Sequence, residues 1–207
     1  RCIDFLRRRN AEMNEGIFRL SGSHASILRV KELLNAGCDV ADADFGEEPT
    51  NVAASVIKLF LRELSDGLIP ASAFADFVAV ATIPKTQNRV PSLRRLVGQL
   101  PEANKNSLWY LLNYLTVVAA KAERNHMTVS NLAVCFAPSV FAPVGVDPNV
   151  MMANTNQTQS IFESLLENFT AVFADITAAN EAAGLTPPAC PAVQPPSVDD
   201  LLRRAEG

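Results

Sequence analysis

No CxxC pair occurs in this sequence, and its four cysteines, Cys2, Cys38, Cys135 and Cys190, stand far apart. Only two histidines, His24 and His126, are present, so no Cys/His set has the spacing of a zinc site and no metal is expected. Reduced thiols in a cytoplasmic protein are the simplest account of cysteines used this way. An excess of positive charge is missing too: the net charge is −4, which argues against general nucleic-acid binding, where basic side chains must displace counterions. No uninterrupted apolar run reaches the roughly 18 residues of a membrane span. The longest candidate, ASAFADFVAVATI, is too short and carries Asp76. No signal-peptide pattern opens the chain. It begins inside an expected helix and reads as a piece excised from a longer protein.

The motifs of self-contained catalysis are also absent. There is no GxSxG, HExxH, GxxxxGKS or GxGxxG. His24 follows Ser23 at an expected helix start, and His126 lies in the turn ERNHMT. Both read as surface or capping residues rather than as members of a hydrolytic triad. An enzyme with its own substrate pocket is therefore not expected.

What the chain does have is apolar residues in helical register. At 207 residues and 48% hydrophobic, it can bury a sizeable core as one large domain, or as one domain with a tail. Leu108, Leu111, Leu112, Leu115 and Val118 fall on one face of a long helix, with Pro101 suited to its first turn. Ile57, Phe60, Leu61 and Leu64 repeat the pattern within NVAASVIKLFLREL, as do Ile161, Leu165, Phe169 and Val172 near the end. Further helices are expected over 23–36, 72–81, 92–100 and 128–136, the last ended by Pro138. No hairpin signal appears, and Asp66-Gly67 sits between helical segments. The expectation is an all-α bundle over residues 1–175. Residues 176–207, with five of the thirteen prolines, form a Pro-rich tail or linker. Its PxxP at Pro188 and Pro191 is a weak match to an SH3-type contact, and SVDDLLRR suits a short docked helical turn.

Three stretches carry polar residues in unusual company. In EGIFRLSG, glycines at Gly16 and Gly22 bound a single arginine, Arg19, set between Phe18 and Leu20. If the segment is extended, Phe18 and Leu20 face the body of the protein and Arg19 faces out. Such an arginine is either an ordinary surface residue beside a tight turn or one held out for a partner's phosphate. In NVAASVIKLFLREL, Lys58 and Arg62 stand four apart on one strip beside the apolar face, with no evident partner in their own helix. They are two solvated bases, or a basic strip supporting a loop's carbonyls or an acidic partner. In NHMTVSNLAVCFAPSV, Asn131 sits one turn after Thr128 amid Val129, Leu132, Val134 and Phe136, where it must find hydrogen bonds. Capping or core bonding is the ordinary account. The run Arg7-Arg8-Arg9 reads as a solvated helix face.

The order EGIFRLSG, then NVAASVIKLFLREL and GLIP, then LPEANKNSLWYLLNYLTVVAA and NHMTVSNLAVCFAPSV resembles the RhoGAP domain, the GTPase-activating module for Rho-family small GTPases. The similarity runs from about Cys2 to Phe173. The resemblance implies a helical bundle whose exposed loop inserts an arginine finger, Arg19, into a partner GTPase. It implies that Arg62 braces the finger loop through backbone carbonyls, that Lys58 lies nearer the GTPase contact, and that Asn131 belongs to the GTPase-binding surface. Gly16, Phe18, Ser21 and Gly22 are then loop structure: the glycines let it bend, and Phe18 and Leu20 pin it.

By the same resemblance the partner is a Rho-family GTPase in its GTP-bound form, of Rho, Rac or Cdc42 type. GTP and magnesium belong to that partner, so the domain needs no cofactor of its own and is an activator rather than an enzyme. A cytoplasmic protein, recruited to membranes through its partner or other domains, is implied. The alternative is a non-catalytic GTPase-binding module of the same fold. Two departures stand out: LSDGL replaces the family's LPEPL, with Ser65 and Gly67 loosening that connection, and FAPSV replaces FGPSL.

Overall fold

The computed structural model describes residues 1–38, 42–85 and 87–185. The expected PxxP and the SVDDLLRR turn lie outside them. Among the described residues the regular structure is entirely helical. In chain order the α-helices are α1 (Cys2–Arg8), α2 (His24–Asn35), α3 (Pro49–Arg62), α4 (Ala71–Val80), α5 (Val90–Gln99), α6 (Glu102–Ala119), α7 (Ala122–Asn125), α8 (Val129–Val140), α9 (Pro148–Ala153), α10 (Thr155–Glu167), α11 (Phe169–Val172) and α12 (Ala174–Ala182). Single 3-10 turns follow α1 at Ala11–Met13 and α2 at Asp42–Phe45.

Local chemistry explains several of the helix starts. Pro49 and Pro148 occupy first-turn positions, where the missing N–H has no helical partner to lose. The side chains of Thr128 and Asp147 accept from the main-chain N–H groups of Asn131 and Asn149, so α8 and α9 begin on true side-chain caps.

The five-residue stripe expected on α6 is buried throughout, and Trp109 and Tyr114 on its other faces are buried as well. A helix covered on several sides is the centre of the bundle. Around it α10 packs most extensively on α8, while α3 packs on α1, α2 and α8. One polar group deep in the packing is fully supplied with partners. Arg89 donates to the carbonyls of Ala81 and Ile83 at 3.0 and 2.7 Å and to the hydroxyls of Ser160 and Ser164 at 2.9 and 3.1 Å. It thereby ties the α4–α5 connection to α10.

Several expectations need correction. Pro138 does not end α8, which runs on to Val140. Its cost falls on the exposed side of the helix, where Val134 and Pro138 face water, and Phe141 N–H still closes on Ala137 O at 2.9 Å. Phe60 is 58% exposed although its spacing placed it with Ile57 and Leu61 in the core. Arg7 is not solvated like Arg8 and Arg9: it is buried, with its guanidinium 5.1 Å over the Tyr114 ring and Nη2 donating to Asn113 Oδ1 at 2.8 Å. The boundary expected between 175 and 176 falls inside α12, which is held to the body by Trp109 Nε1 donating to Thr177 Oγ1 at 2.9 Å. The apolar repeat from Ile161 to Val172 is broken at Asn168, between α10 and α11.

The connection at Ser65–Gly67 is not loose either. Gly67, with a φ of +72°, lies so close to Ala142 and Pro143 that a Cβ there would stand 3.1 Å from each. Asn104 Nδ2 donates to the carbonyls of Gly67 and Leu68 at 3.1 and 3.0 Å, which fixes the turn.

Candidate functional site

The segment between the first 3-10 turn and α2 carries Arg19, and it is a tight turn rather than an extended strand. Gly16 and Phe18 both have positive φ, +67° and +69°. Arg19 N–H and Leu20 N–H both donate to Gly16 O at 2.9 Å, while Gly16 N–H donates to Asn125 O at 2.8 Å. A phenylalanine in the left-handed region costs of order 1–3 kcal/mol and persists only where the surroundings over-determine it. Here they do: Phe18 is fully buried, edge-on to Phe136 at 4.8 Å and to Tyr114 at 6.2 Å between ring centroids.

Because the turn does not alternate like a strand, Leu20 is not an anchor; it is 48% exposed and lies over Gly16. Ile17, fully buried, takes the anchoring place expected of Leu20. Arg19 projects to solvent, and no described residue accepts a hydrogen bond from its guanidinium. Ser21 is exposed beside it. Gly22 serves by making room rather than by bending. A Cβ there would lie 2.5 Å from Val52 Cγ2 and 2.7 Å from Val52 N, and its N–H donates to Ser55 Oγ at 3.3 Å.

Helix α3 supplies the support behind the turn. Lys58 Nζ donates to the main-chain carbonyl of Phe18 at 2.6 Å. Arg62 Nη1 donates to Ser139 Oγ on α8 at 3.2 Å. The brace expected from Arg62 is supplied by Lys58 instead: Lys58 holds the turn that carries Arg19, and Arg62 reaches across to α8. One helical turn separates them along α3, and only Lys58 stands opposite the turn's carbonyl. Burial holds the Lys58 ammonium below the ordinary lysine range, with the Arg62 cation acting in the same direction and Cys135 against it. Burial pushes the Cys135 thiol up, and the Lys58 and Arg19 cations pull it the other way. Three cations therefore converge on one face of a chain whose net charge is −4.

Asn131 is exposed at the start of α8, with Nδ2 donating to His126 O at 2.8 Å. It shares a strip of α8 with Cys135 and Ser139, spaced by four residues each. Sequence reasoning missed Ser139 and Asn125, which hold Arg62 and the base of the turn that carries Arg19. Asn125 is fully buried in a stretch, ERNHMT, that reads as a polar surface turn, so composition gave no signal for it. His24 and His126 are both exposed.

Nothing else among the described residues competes as a chemical centre. No group of three His, Cys, Asp or Glu side chains is placed to hold a metal ion, and no helix is long and apolar enough to cross a membrane. An open apolar groove of about 750 Å³ runs among the described residues Ile3, Leu34, Val56, Phe60, Trp109 and Leu185. It opens on a different side of α3 from Lys58 and includes none of the three cations.

An all-helical domain that holds one exposed arginine on a pinned turn, with two further cations behind it, presents positive charge outward on that face. The chain belongs to the RhoGAP domain family, whose model matches residues 1–144. It is 33% identical over 183 residues to Rho GTPase-activating protein 22 of Mus musculus, a match covering 84% of this chain and 24% of that protein. Rho GTPase-activating protein 15 of Mus musculus is 30% identical over 172 residues, covering 83% of this chain and 35% of that one. The chain thus spans about a quarter to a third of the length of these relatives. Among solved structures, human Rho GTPase activating protein 15 superposes with a TM-score of 0.76 at 26% identity, covering 83% of this chain and 81% of that one. The BH domain from Graf, the GTPase regulator associated with focal adhesion kinase, gives a TM-score of 0.71 at 25% identity over 84% and 91%.

Proposed function

We propose that this domain accelerates GTP hydrolysis by a Rho-family small GTPase in its GTP-bound form, with Arg19 inserted in trans as an arginine finger. The observation that carries this reading is the contrast within one turn. Phe18 is locked by packing and by Lys58, while the next side chain, Arg19, is exposed with a guanidinium that donates no hydrogen bond to a described residue. Family membership and the names of the relatives support the choice of partner.

As the bond to the γ-phosphate breaks, negative charge spreads over the phosphoryl and leaving oxygens. A guanidinium already aimed at those oxygens stabilises that state more than the ground state, and it needs no reorganisation at the moment of reaction. Such a finger is worth roughly 10³–10⁵ in rate, or about 4–7 kcal/mol. GTP and magnesium are held by the GTPase; this domain contributes Arg19, and Lys58, Arg62 and Asn131 line the face that meets the partner. It acts as an activator, with the reaction completed in the partner's site.

The test is single-turnover GTP hydrolysis by a panel of Rho-family GTPases with the wild-type domain and with Arg19→Ala. Acceleration that falls by orders of magnitude in the variant, with binding kept, supports the finger and names the target. Binding without acceleration by the wild-type domain would instead favour a non-catalytic binding module. Acceleration that survives Arg19→Ala would sink the assignment.

A further inference from the structure

We propose that Asn125 is a positioning residue for Arg19, acting through the main chain of Gly16; this rests on the finger reading above. Asn125 ends α7 and is fully buried, and all its polar capacity is used to join segments far apart in sequence. Its Nδ2 donates to Glu12 O at 2.7 Å, in the 3-10 turn just before the finger segment, and to Val118 O at 2.8 Å, near the end of α6. Its Oδ1 accepts from Met127 N–H at 2.7 Å, on the approach to α8. Its main-chain oxygen accepts from Gly16 N–H at 2.8 Å.

Gly16 is the residue from which the finger turn hangs. Its carbonyl accepts from both Arg19 N–H and Leu20 N–H, and its left-handed φ sets the direction in which the chain leaves. The line of bonds from Asn125 to Gly16 to Arg19 is therefore two hydrogen bonds long. Lys58 on α3 holds the turn through Phe18 O, and Asn125 at the end of α7 holds it through Gly16 N. With its backbone fixed at two points shortly before Arg19 in sequence, the turn resists displacement as a unit. The adjoining His126 carbonyl accepts from Asn131 Nδ2, so the same brace continues to the start of α8. A displacement of about 1 Å at a reacting group can cost on the order of 10² in rate, so a brace at this distance reads out in chemistry rather than in affinity.

The experiment compares three forms of the domain with the GTPase found above: wild type, Asn125→Ala, and a semisynthetic form whose amide at Gly16 is replaced by an ester. The ester removes the Gly16 N–H donor, weakens the Glu15 carbonyl as an acceptor and leaves every side chain in place. Each is made with Arg19 and with Arg19→Ala. The readouts are the maximal single-turnover rate and the Kd for the GTPase loaded with a non-hydrolysable GTP analogue. Asn125→Ala is expected to lower the maximal rate about tenfold or more while Kd stays within about threefold, and its effect should shrink to under about twofold in the Arg19→Ala background.

A loss of the same size in both backgrounds, or one carried by Kd, would mean a merely structural role and overturn the proposal. If thermal melts show that Asn125→Ala does not fold, the ester form decides. A fall of about threefold or more that requires Arg19 supports the proposal, and an unchanged rate overturns it. If Arg19→Ala alone costs nothing, the finger reading has failed. If Arg19→Ala is costly but both Asn125→Ala and the ester are silent, only the positioning role has failed.

Discussion

The Lys58 ammonium lies 2.6 Å from the main-chain carbonyl oxygen of Phe18, the residue immediately before Arg19, although forty positions separate the two in sequence. The charged donor reaches the turn at the one peptide group whose orientation sets where the Arg19 side chain departs. Phe18 is held at its ring by Phe136 and Tyr114 and at its carbonyl by Lys58, so neither end of the residue is free to relax its positive φ. The strain in the turn is a consequence of that double hold.

Lys58→Met should therefore slow the activated reaction without much affecting the fold. A hydrogen bond to a charged group contributes about 1.5–3 kcal/mol, which predicts a fall of about tenfold to a hundredfold in the maximal rate. Stability should change little, because the aliphatic stem is replaced in kind and the burial of a charge is relieved. Single-turnover hydrolysis beside urea denaturation checks both halves. A variant with wild-type rate would remove Lys58 from the finger's support.

The same burial gives a pH dependence with a definite sign. The folded pKa of Lys58 lies below the ordinary 10.5 of the unfolded chain, chiefly through desolvation. Between the two values the unfolded state binds more protons, so stability rises with pH across that window. Below the folded value the penalty for burying the charge is fully present and flat. Urea denaturation of wild type and Lys58→Met from neutral pH to 10.5 should show wild type gaining on the variant toward the alkaline end. A gap that moves the other way would contradict the assignment.

The helices were legible because burial imposes a 3.6-residue period, and the stripe on α6 is buried at all five of its expected positions. The finger turn was legible only as a place, not as a shape. Reading Phe18 and Leu20 as paired anchors presumed strand alternation, which a left-handed Phe18 breaks. Phe60 shows the limit of periodicity: it has the right spacing on α3 but stays more than half exposed, and it lines an open apolar groove instead. Long-range polar bonds leave no local trace. Lys58 reaches a loop rather than a helical neighbour, Arg62 depends on Ser139 seventy-seven positions away, and Asn125 bonds Glu12 across 113 positions. Arg7 is one of three arginines in a basic run by composition, yet stacks on a tyrosine more than a hundred positions downstream.

Gly22 is required for closeness rather than for freedom. An added Cβ would stand 2.5 Å from Val52 Cγ2 and 2.7 Å from the Val52 nitrogen, and the latter is helical backbone that cannot step aside. Gly22→Ala should destabilise by about 1–3 kcal/mol and shift the turn's exit toward α2, so that rate falls along with stability. Trimming Val52 to Ala in the same chain removes the Cγ2 clash but not the backbone one. Only partial recovery in urea denaturation is expected, and full recovery would show that the side chain alone was in the way.

Arg89 carries the clearest stability prediction away from the finger. Its guanidinium meets two carbonyls and two hydroxyls at 2.7–3.1 Å, joining the α4–α5 connection to α10 in a position only 6% exposed. Removing it leaves those carbonyls short of a donor, and each uncompensated buried group costs about 1–3 kcal/mol. Arg89→Ala should therefore lower unfolding free energy by about 3–5 kcal/mol. Arg89→Lys should recover little of that, because a single ammonium cannot span four acceptors laid out around a planar fork. The finger turn lies on the α3 side of the bundle, so the surviving folded fraction of either variant should activate its GTPase at the wild-type maximal rate. Urea midpoints together with single-turnover rates distinguish this outcome from coupling between the two ends of the bundle, in which rate and stability would fall together.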